Sequence, residues 1–314
     1  MPAIWIPKRL VEIGLINTAA ENATSFVCHC EIEYESRVIA AAAESRGTDS
    51  KIIMLTGPSA SGKTTTANKL AEALIRSGTH AVVVSLDEFY KDIDDYPRLP
   101  DGSKDYENVY ALDVDEIHRC LLQLLREGAA DFPLFDFQTE KRKPERHRIA
   151  LEGGVVVVEG IHALNPLLTD VLPEGSVYKI YAGLREEYSH GGQRTLPTRD
   201  IRLARRMVRD NKFRGHSLEK TLNMWPMVCD GEDTYIKAYK PYADLLLDTS
   251  FSYEICVLAP FVTELKGKLD DPVLGPQLDD LADRFARCNP LSDKLIPPQS
   301  MLREFIGPTA HDPA

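Results

Sequence analysis

The chain has 314 residues, of which 43% are hydrophobic and 27% charged, so it can bury a sizeable core and is neither disordered nor fibrous. Lysine and arginine total 37 against 48 acidic residues, and the formal net charge of −11 disfavours a nucleic-acid partner because such surfaces depend on phosphate neutralisation. No apolar run approaches the roughly 20 residues that cross a bilayer, and the N-terminus lacks the pattern of a secretory signal. We therefore expect a cytoplasmic protein with no membrane partner.

Short apolar runs alternate with helical patterns through the middle of the chain. The runs lie at 52–56, 81–85, 155–158, 177–182 and 244–247. Most are nearly continuous and β-branched or rich in leucine, as strands are when helices cover both faces of a parallel sheet. Residues 64–77 and 113–126 have helical spacing. We predict an α/β fold over 51–258, with a doubly wound parallel sheet of about five strands flanked by helices.

The two ends of the chain are less regular. Residues 1–50 hold one predicted helix at 31–45, and residues 259–314 hold another at 277–287, followed by a proline-containing tail. We predict that both ends are helical extensions packed on the central domain.

A phosphate-binding motif occupies residues 57–64, which read GPSASGKT and satisfy G-x-x-x-x-G-K-[ST] between the first predicted strand and helix. In that context the backbone N–H groups can surround a polyphosphate, and the helix N-terminus adds a favourable dipole. Lys63 would reach the β- and γ-phosphates, and the Thr64 hydroxyl would hold Mg²⁺. The motif predicts a P-loop that binds a nucleotide through Gly57, Ser59, Ala60, Ser61, Gly62, Lys63, Thr64 and Thr65.

Acidic side chains follow two predicted strands, at the edge where open α/β sheets bind ligands. Asp87 comes just after 81–85, where a carboxylate can accept the proton of an incoming hydroxyl and help to hold Mg²⁺. Glu159 closes a Walker-B-like strand, and we assign it to the metal. His162 follows closely, and we favour a satisfied histidine there over a substrate contact.

An arginine-rich segment covers residues 199–214 of this acidic protein. Arginines recur there at three- and four-residue spacing and would lie along one flank of a helix, where an anion relieves their repulsion. They are Arg202, Arg205, Arg206 and Arg209. We predict a mobile lid at about 197–216 that brings arginines onto the transferring phosphoryl group and excludes water.

Together these motifs resemble the uridine kinase and phosphoribulokinase family of P-loop kinases. The matching segments are 57–64, 85–90, 135–137, 158–161 and 205–215, in the family's order. Strings at 159–165, 198–200 and 296–307 resemble a bacterial branch of uridine kinase-like nucleoside kinases. Longer members of that branch carry domains similar to the N-terminal part of threonyl-tRNA synthetase, for which we expect this chain to be too short.

The resemblance implies roles for individual residues. It implies Asp87 as the general base, Glu159 near Mg²⁺, and lid arginines on the phosphates, namely Arg205, Arg206, Arg209 and Arg214. An acidic ribose-binding residue is expected where this chain has Asp105 and Glu107, and the two stay alternatives. The predicted substrate contacts are Asp87, Tyr90, Asp105, Glu107, Phe135, Glu140, Arg142, His162 and Arg202.

One departure concerns the substrate. Pyrimidine-specific relatives have a base-contacting histidine where this sequence has Glu140, and a carboxylate offers only acceptors to a base. We predict an ATP- and Mg²⁺-dependent kinase of a small-molecule hydroxyl, by preference the 5′-hydroxyl of a nucleoside. The alternatives are a kinase of a non-nucleoside polyol or hydroxy amino acid, or a nucleotide-sensing or ATPase module without a small-molecule acceptor. A homo-oligomer is left open.

Overall fold

The computed structural model describes residues 7–308. In chain order, the helices and strands of this part are β1 (Arg9–Glu12), α1 (Ile13–Ala20), α2 (Ala23–Arg46), β2 (Ile52–Thr56), α3 (Lys63–Arg76), β3 (Ala81–Ser85), α4 (Val114–Glu127), β4 (Ala129–Asp136), β5 (Lys141–Ala150), β6 (Val155–Glu159), α5 (Pro166–Thr169), β7 (Val177–Gly183), β8 (Glu186–His190), β9 (Gln193–Leu196), α6 (Thr198–Phe213), α7 (Leu218–Gly231), β10 (Leu245–Asp248), α8 (Glu254–Thr263), α9 (Leu274–Phe285) and α10 (Arg303–Ile306). None of the described helices is both long and apolar enough to cross a membrane.

A five-stranded sheet lies at the centre, in the order β10-β7-β2-β6-β3. Every neighbouring pair in it is parallel. The predicted parallel α/β sheet is thus confirmed, and each of its strands lies within one residue of the predicted limits. Because all five strands run the same way, their carboxyl ends meet at one edge, where the P-loop begins.

Both faces of this sheet are buried, which explains the continuous apolar strands. Successive side chains of a strand point to opposite faces. In β2, Ile53 and Leu55 enter the core formed with α2, α3, α6 and α8, whereas Ile52 and Met54 enter the core formed with α4 and α5. A strand covered on both sides has no polar face, so the alternation typical of half-exposed strands is absent.

The two helices predicted inside the domain are present, as α3 and α4. The carboxylate of Asp113 accepts a hydrogen bond from the backbone N–H of Glu116 and caps the start of α4. The helix ends at Gly128, whose φ of 74° lies in the left-handed region that glycine adopts without strain.

A hairpin and a second sheet were not predicted. Strands β4 and β5 pair antiparallel, and β1, β8 and β9 form a three-stranded sheet. The sequence of β5 is KRKPERHRIA, and most of its residues are exposed. Such a charged strand has no hydrophobic alternation to reveal it, because neither of its faces is buried.

The described N- and C-terminal segments pack on the central domain but differ from the prediction in detail. Helix α2 starts eight residues before the predicted position 31 and packs against α3. The N-terminal segment also contributes β1, which pairs parallel with β8, so that segment is not purely helical. At the other end, α10 packs on α6. The division into an N-terminal extension, a kinase domain and a C-terminal extension remains a prediction, and residues 309–314 of the predicted tail lie outside the described part.

Candidate active site

The P-loop leaves the carboxyl end of β2 and leads directly into α3. A side chain at Gly57 would clash with the carbonyl oxygen of Ala182 on the neighbouring strand, so the loop can pass there only as glycine. Gly62 has a φ of 84° and packs against the side chain of Met301. The Lys63 ammonium donates to the carbonyl oxygen of Pro58 at 3.4 Å, within the loop itself.

A pocket of about 210 Å³ opens over this loop and collects most of the predicted site residues. Those that line it are Ser59, Ala60, Gly62, Lys63, Thr64, Asp87, Tyr90, Glu107, Glu159, Arg206, Arg209 and Arg214. They come from the P-loop, the ends of β3 and β6, the segment before α4, and α6 with its C-terminal end. Residues up to 155 positions apart in sequence, Ser59 and Arg214, therefore meet at one edge of the sheet, as the arrangement of parallel strands requires.

The carboxylates of Asp87 and Glu159 lie on the sheet side of this pocket. Glu159 accepts from the hydroxyls of Ser85 at 2.9 Å and Thr64 at 3.3 Å. Burial raises the pKa of Asp87, and it also raises the pKa of Glu159, where the negative charge of Asp87 adds to the effect; Lys63 opposes both shifts. A carboxyl group with a raised pKa binds a proton more readily, as a general base must.

The same residues offer oxygen ligands. No group of three or more His, Cys, Asp or Glu residues within 7–308 is arranged to hold a metal ion. Mg²⁺, however, usually takes only one or two protein carboxylates and completes its shell with water and substrate phosphates. The Thr64 hydroxyl, 3.3 Å from the Glu159 carboxylate, and Asp87 in the same pocket fit that donor set.

On the opposite side, three arginines of α6 and its C-terminal end surround one carboxylate. Asp210 is 1% exposed and lies 3.2 Å from Arg206, 3.0 Å from Arg209 and 3.8 Å from Arg214. Arg206 also donates to the Ser59 hydroxyl of the P-loop at 3.0 Å. One carboxylate cannot neutralise three guanidinium groups, so positive charge remains for a phosphate. Asp210 stands within the arginine-rich motif, but no spacing in that motif predicts this role.

Arg202 and Arg205 are placed differently from the other lid arginines, since neither lines the pocket. Arg202 pairs with the buried Glu232 and donates to the carbonyl of Ser59 at 2.8 Å. Arg205 is fully buried, pairs with Glu254 at 2.7 Å and donates to the carbonyl of Ala60 at 3.1 Å. Both arginines therefore hold the P-loop backbone in place from the side away from the pocket. The carboxylates of Glu232 and Glu254, rather than a bound anion, relieve the repulsion between these two arginines. The predicted contacts of Arg202 and Arg205 with a ligand remain predictions.

Of the two acidic residues left as alternatives, only Glu107 lines the pocket. Burial raises its pKa to about 7, because no partner fully offsets the loss of solvent, although Arg206 lowers it in part. The Asp105 carboxylate instead accepts from the Asn108 side chain at 3.0 Å and from the backbone N–H of Glu107 at 3.3 Å. Asp105 therefore shapes the loop that presents Glu107.

A smaller aromatic pocket of about 180 Å³ adjoins the first at Tyr90, which lines both. The other residues that line it are Ile93, Tyr96, Tyr106, Phe135, Phe137 and Glu140. The rings of Tyr90 and Tyr96 are stacked at 5.7 Å between centroids. Glu140 is exposed at the rim, in the β4–β5 turn, with a φ of 54°. The aromatic residues at 90, 96 and 106 are near one another in sequence and could have indicated part of this pocket. Phe135 and Phe137 reach them only because β4 and β5 form a hairpin.

Two further predicted substrate contacts, Arg142 and His162, do not line either pocket. Arg142 donates to the backbone carbonyls of Phe89 and Tyr90 and pairs with Asp113 at 3.0 Å, so it supports the segment that carries Tyr90. His162 is 2% exposed and meets the ring of Tyr235 edge to face. Burial lowers the pKa of His162 to about 4, so its ring is neutral at physiological pH.

The C-terminal segment adds a residue to the site that was not assigned from the sequence. Glu304 lines the P-loop pocket and accepts a hydrogen bond from the Thr65 hydroxyl at 2.8 Å. The string 296–307 resembles the bacterial branch, but its place beside the P-loop could not be inferred from the sequence, because Glu304 and Thr65 are 239 residues apart.

Sequence comparisons with known proteins point to one family. The model of the phosphoribulokinase / uridine kinase family matches residues 52–171 and 195–254. A uridine kinase of Staphylococcus haemolyticus is 30% identical over 209 residues, which are 66% of this chain and 91% of that protein. A uridine kinase of Saccharomyces cerevisiae is 28% identical over 70% of this chain and 40% of its own length.

A solved structure described as a possible uridine kinase from Bacillus stearothermophilus has a TM-score of 0.48 and 17% identity, and the match covers 69% of this chain and all of that one. The family match covers more than half of the chain, since its two segments contain 120 and 60 of 314 residues. The chain belongs to the phosphoribulokinase and uridine kinase family and is a phosphotransferase that acts on a hydroxyl group.

Proposed function

We propose that this kinase transfers the γ-phosphoryl group of ATP to the 5′-hydroxyl of a nucleoside. The observation that carries the proposal is the junction of the two pockets at Tyr90. One pocket has the charges for a polyphosphate, and the other has aromatic walls on which a planar base can stack. Asp87 and Glu107 line the phosphate side of that junction, where the ribose would lie.

The residues divide the reaction between them. Asp87 accepts the proton of the acceptor hydroxyl as its oxygen bonds to the γ-phosphorus and the bond to the ADP oxygen breaks. Lys63, Arg206 and Arg209 stabilise the negative charge on the transferring group. Thr64 and Glu159 would hold Mg²⁺, which supplies further charge neutralisation when it is bound. Glu107 would accept hydrogen bonds from ribose hydroxyls, because Arg206 offsets only part of the cost of burying its carboxylate.

A second candidate acceptor is a hydroxy amino acid or polyol, and the position of Glu140 favours keeping it. This carboxylate lies at the exposed rim of the aromatic pocket, where it could pair with an ammonium group or accept from several hydroxyls. A nucleoside offers fewer donors to it. The choice between the two acceptors therefore depends on whether the aromatic walls or the rim carboxylate dominates recognition.

Release of ADP by the full chain in the presence of Mg²⁺ and ATP tests the proposal. We expect a purine or pyrimidine nucleoside to stimulate release, and Tyr96→Ala to lower kcat/KM for that nucleoside at least ~10-fold through lost stacking and ordering of the pocket. The matched change Tyr242→Ala, at an exposed tyrosine outside both pockets, should have no effect. Stimulation by inositols or hydroxy amino acids alone, abolished by Glu140→Gln, would replace the nucleoside with the second candidate.

A change at Arg206 separates a catalytic arginine from one that only binds. Arg206→Ala is expected to lower kcat by at least ~10-fold and to raise the Kd for ATP by less, because this guanidinium stabilises the charge distribution of the transition state more than that of bound ATP. Steady-state kinetics and equilibrium binding of a non-hydrolysable analogue measure the two effects. Arg126→Ala, at an exposed position on α4, is the control. A loss of affinity with kcat preserved would make this arginine part of a binding surface only.

Glu107 provides a prediction about pH. Its pKa rises from 4.5 to about 7 on folding, so between these values the folded protein keeps a proton that the unfolded chain has lost. Stability contributed by this group therefore falls as pH rises through that window. Glu107→Gln should raise Tm relative to wild type near pH 8, and by a smaller margin near pH 5. Thermal melts at both pH values check this.

The same variant should raise the KM for the acceptor, because an amide cannot match a carboxylate as an acceptor for two hydroxyls. Glu145→Gln, at an exposed position of β5, should change neither quantity. An equal Tm difference at both pH values would show that Glu107 is not the titrating group.

A further inference from the structure

A second cavity, of about 670 Å³, shares the P-loop with the pocket described above. Pro58 lines this cavity, whereas Ser59 lines the P-loop pocket. Seven of the fourteen residues that line the cavity are lysine or arginine, and one is aspartate. They come from the segment before β1, the ends of β7 and β9, the first turns of α6 and the short helical segment Lys237–Tyr242. In a chain with a net charge of −11, this is a strong local excess of positive charge.

Neighbouring carboxylates compensate only part of that charge, because two of them are each shared by two cations. The shared pairs are Lys8 and Arg194 with Glu187, both at 2.6 Å, and Arg199 and Lys237 with Asp233, both at 2.7 Å. The aspartate of the lining, Asp200, is paired with Arg284, which does not line the cavity. The four cations Lys8, Arg194, Arg199 and Lys237 therefore face two carboxylates, Glu187 and Asp233. An anion in the cavity would compensate the remaining positive charge.

The cavity also has an apolar wall. The ammonium of Lys240 lies 5.1 Å from the centroid of the Tyr181 ring, next to Leu184. Burial, with added repulsion from Arg185 and Lys8, lowers the pKa of Lys240 to about 8. The positive charge of Lys240 is thus disfavoured in this cavity, and a negatively charged ligand would stabilise it. The flat ring and the cations together suit a molecule with both a ring and phosphate groups.

We propose that this cavity is a second ligand site, separate from the phosphoryl-transfer site, for a nucleotide-sized molecule with two or more phosphate groups. The volume lies in the range of small-molecule sites in proteins. A ligand there would also act on the P-loop. Arg202 lines the cavity, donates to the Ser59 carbonyl at 2.8 Å and pairs with Glu232, which in turn accepts from the Ser59 N–H at 3.1 Å.

The test uses the full chain with its P-loop already saturated by Mg²⁺ and a non-hydrolysable ATP analogue. Inorganic tripolyphosphate and the common nucleoside triphosphates are then titrated in separately by calorimetry. We expect one further equivalent to bind, and Lys240→Glu to weaken that binding at least ~10-fold. Lys268→Glu makes the same charge change at an exposed lysine outside the cavity and should leave binding unchanged. Tighter binding of nucleoside triphosphates than of tripolyphosphate would show that the ring is recognised as well.

Binding of the analogue to the P-loop serves as the check that each variant is folded. If Lys240→Glu fails that check, Lys240→Gln replaces it and must also weaken the second binding event. The absence of a second equivalent at millimolar probe, or equal weakening by the changes at Lys240 and Lys268, would overturn the proposal.

Discussion

Asp87→Asn is expected to lower kcat at least ~10²-fold while the Kd for ATP stays close to that of the wild type. The amide keeps the size of the side chain but cannot take the proton of the acceptor hydroxyl. Because burial raises the pKa of Asp87, the wild-type carboxylate is poised to gain a proton, and this property is lost in the variant. Single-turnover kinetics with saturating ATP and acceptor measure the effect on the chemical step.

The control for this change is Asp94→Asn, at an exposed aspartate that pairs with Lys104 at 3.5 Å. It should leave kcat unchanged. Turnover by the Asp87 variant near the wild-type rate would remove this residue from the mechanism. A parallel loss of ATP affinity would instead assign the carboxylate to nucleotide or metal binding.

Glu254→Gln is expected to lower the free energy of unfolding by about 3–5 kcal/mol. Glu254 and Arg205 are both fully buried, and their side chains meet at 2.7 Å. Removing the negative charge leaves a guanidinium without solvent or counterion in the core. Because Arg205 also donates to the Ala60 carbonyl of the P-loop, nucleotide affinity should fall together with stability. Urea denaturation monitored by circular dichroism gives the first quantity, and equilibrium binding gives the second.

Two comparisons sharpen this test. Glu264→Gln, exposed at the end of the same helix, should change stability little. The double change of Arg205→Met with Glu254→Leu should recover most of the lost stability, since an apolar pair of similar volume needs no counterion. A drop well below 1 kcal/mol in Glu254→Gln would mean that water reaches the pair.

The central sheet was predictable because its signals are local. Continuous apolar strands followed by amphipathic helices leave few alternatives to a parallel sheet, and β2 and β3 match the prediction residue for residue. The charged β5 could not be recognised, because the hairpin exposes both of its faces. The early start of α2 could not be recognised either, since its apolar residues show little preference for one face.

In the candidate site, too, the features encoded by local sequence were predictable and those that depend on distant contacts were not. The P-loop and the acidic strand ends are encoded within a few residues, and the structure brings them together in one pocket. Spacing alone could not tell which arginines of α6 meet the pocket and which are buried behind it, because that depends on Glu232 and Glu254 far along the chain. The contribution of Glu304 likewise depends on a contact across 239 positions.

The packing of α6 determines how much its arginines must move before they can stabilise the transition state. Buried ion pairs hold one side of this helix, and Ile201, Ala204 and Met207 are fully enclosed, so swinging it open would break a core. Arg206 and Arg209 are therefore aimed before any nucleotide arrives, and little reorganisation energy is spent during phosphoryl transfer. Such preorganised electrostatics leave water exclusion to other parts of the chain.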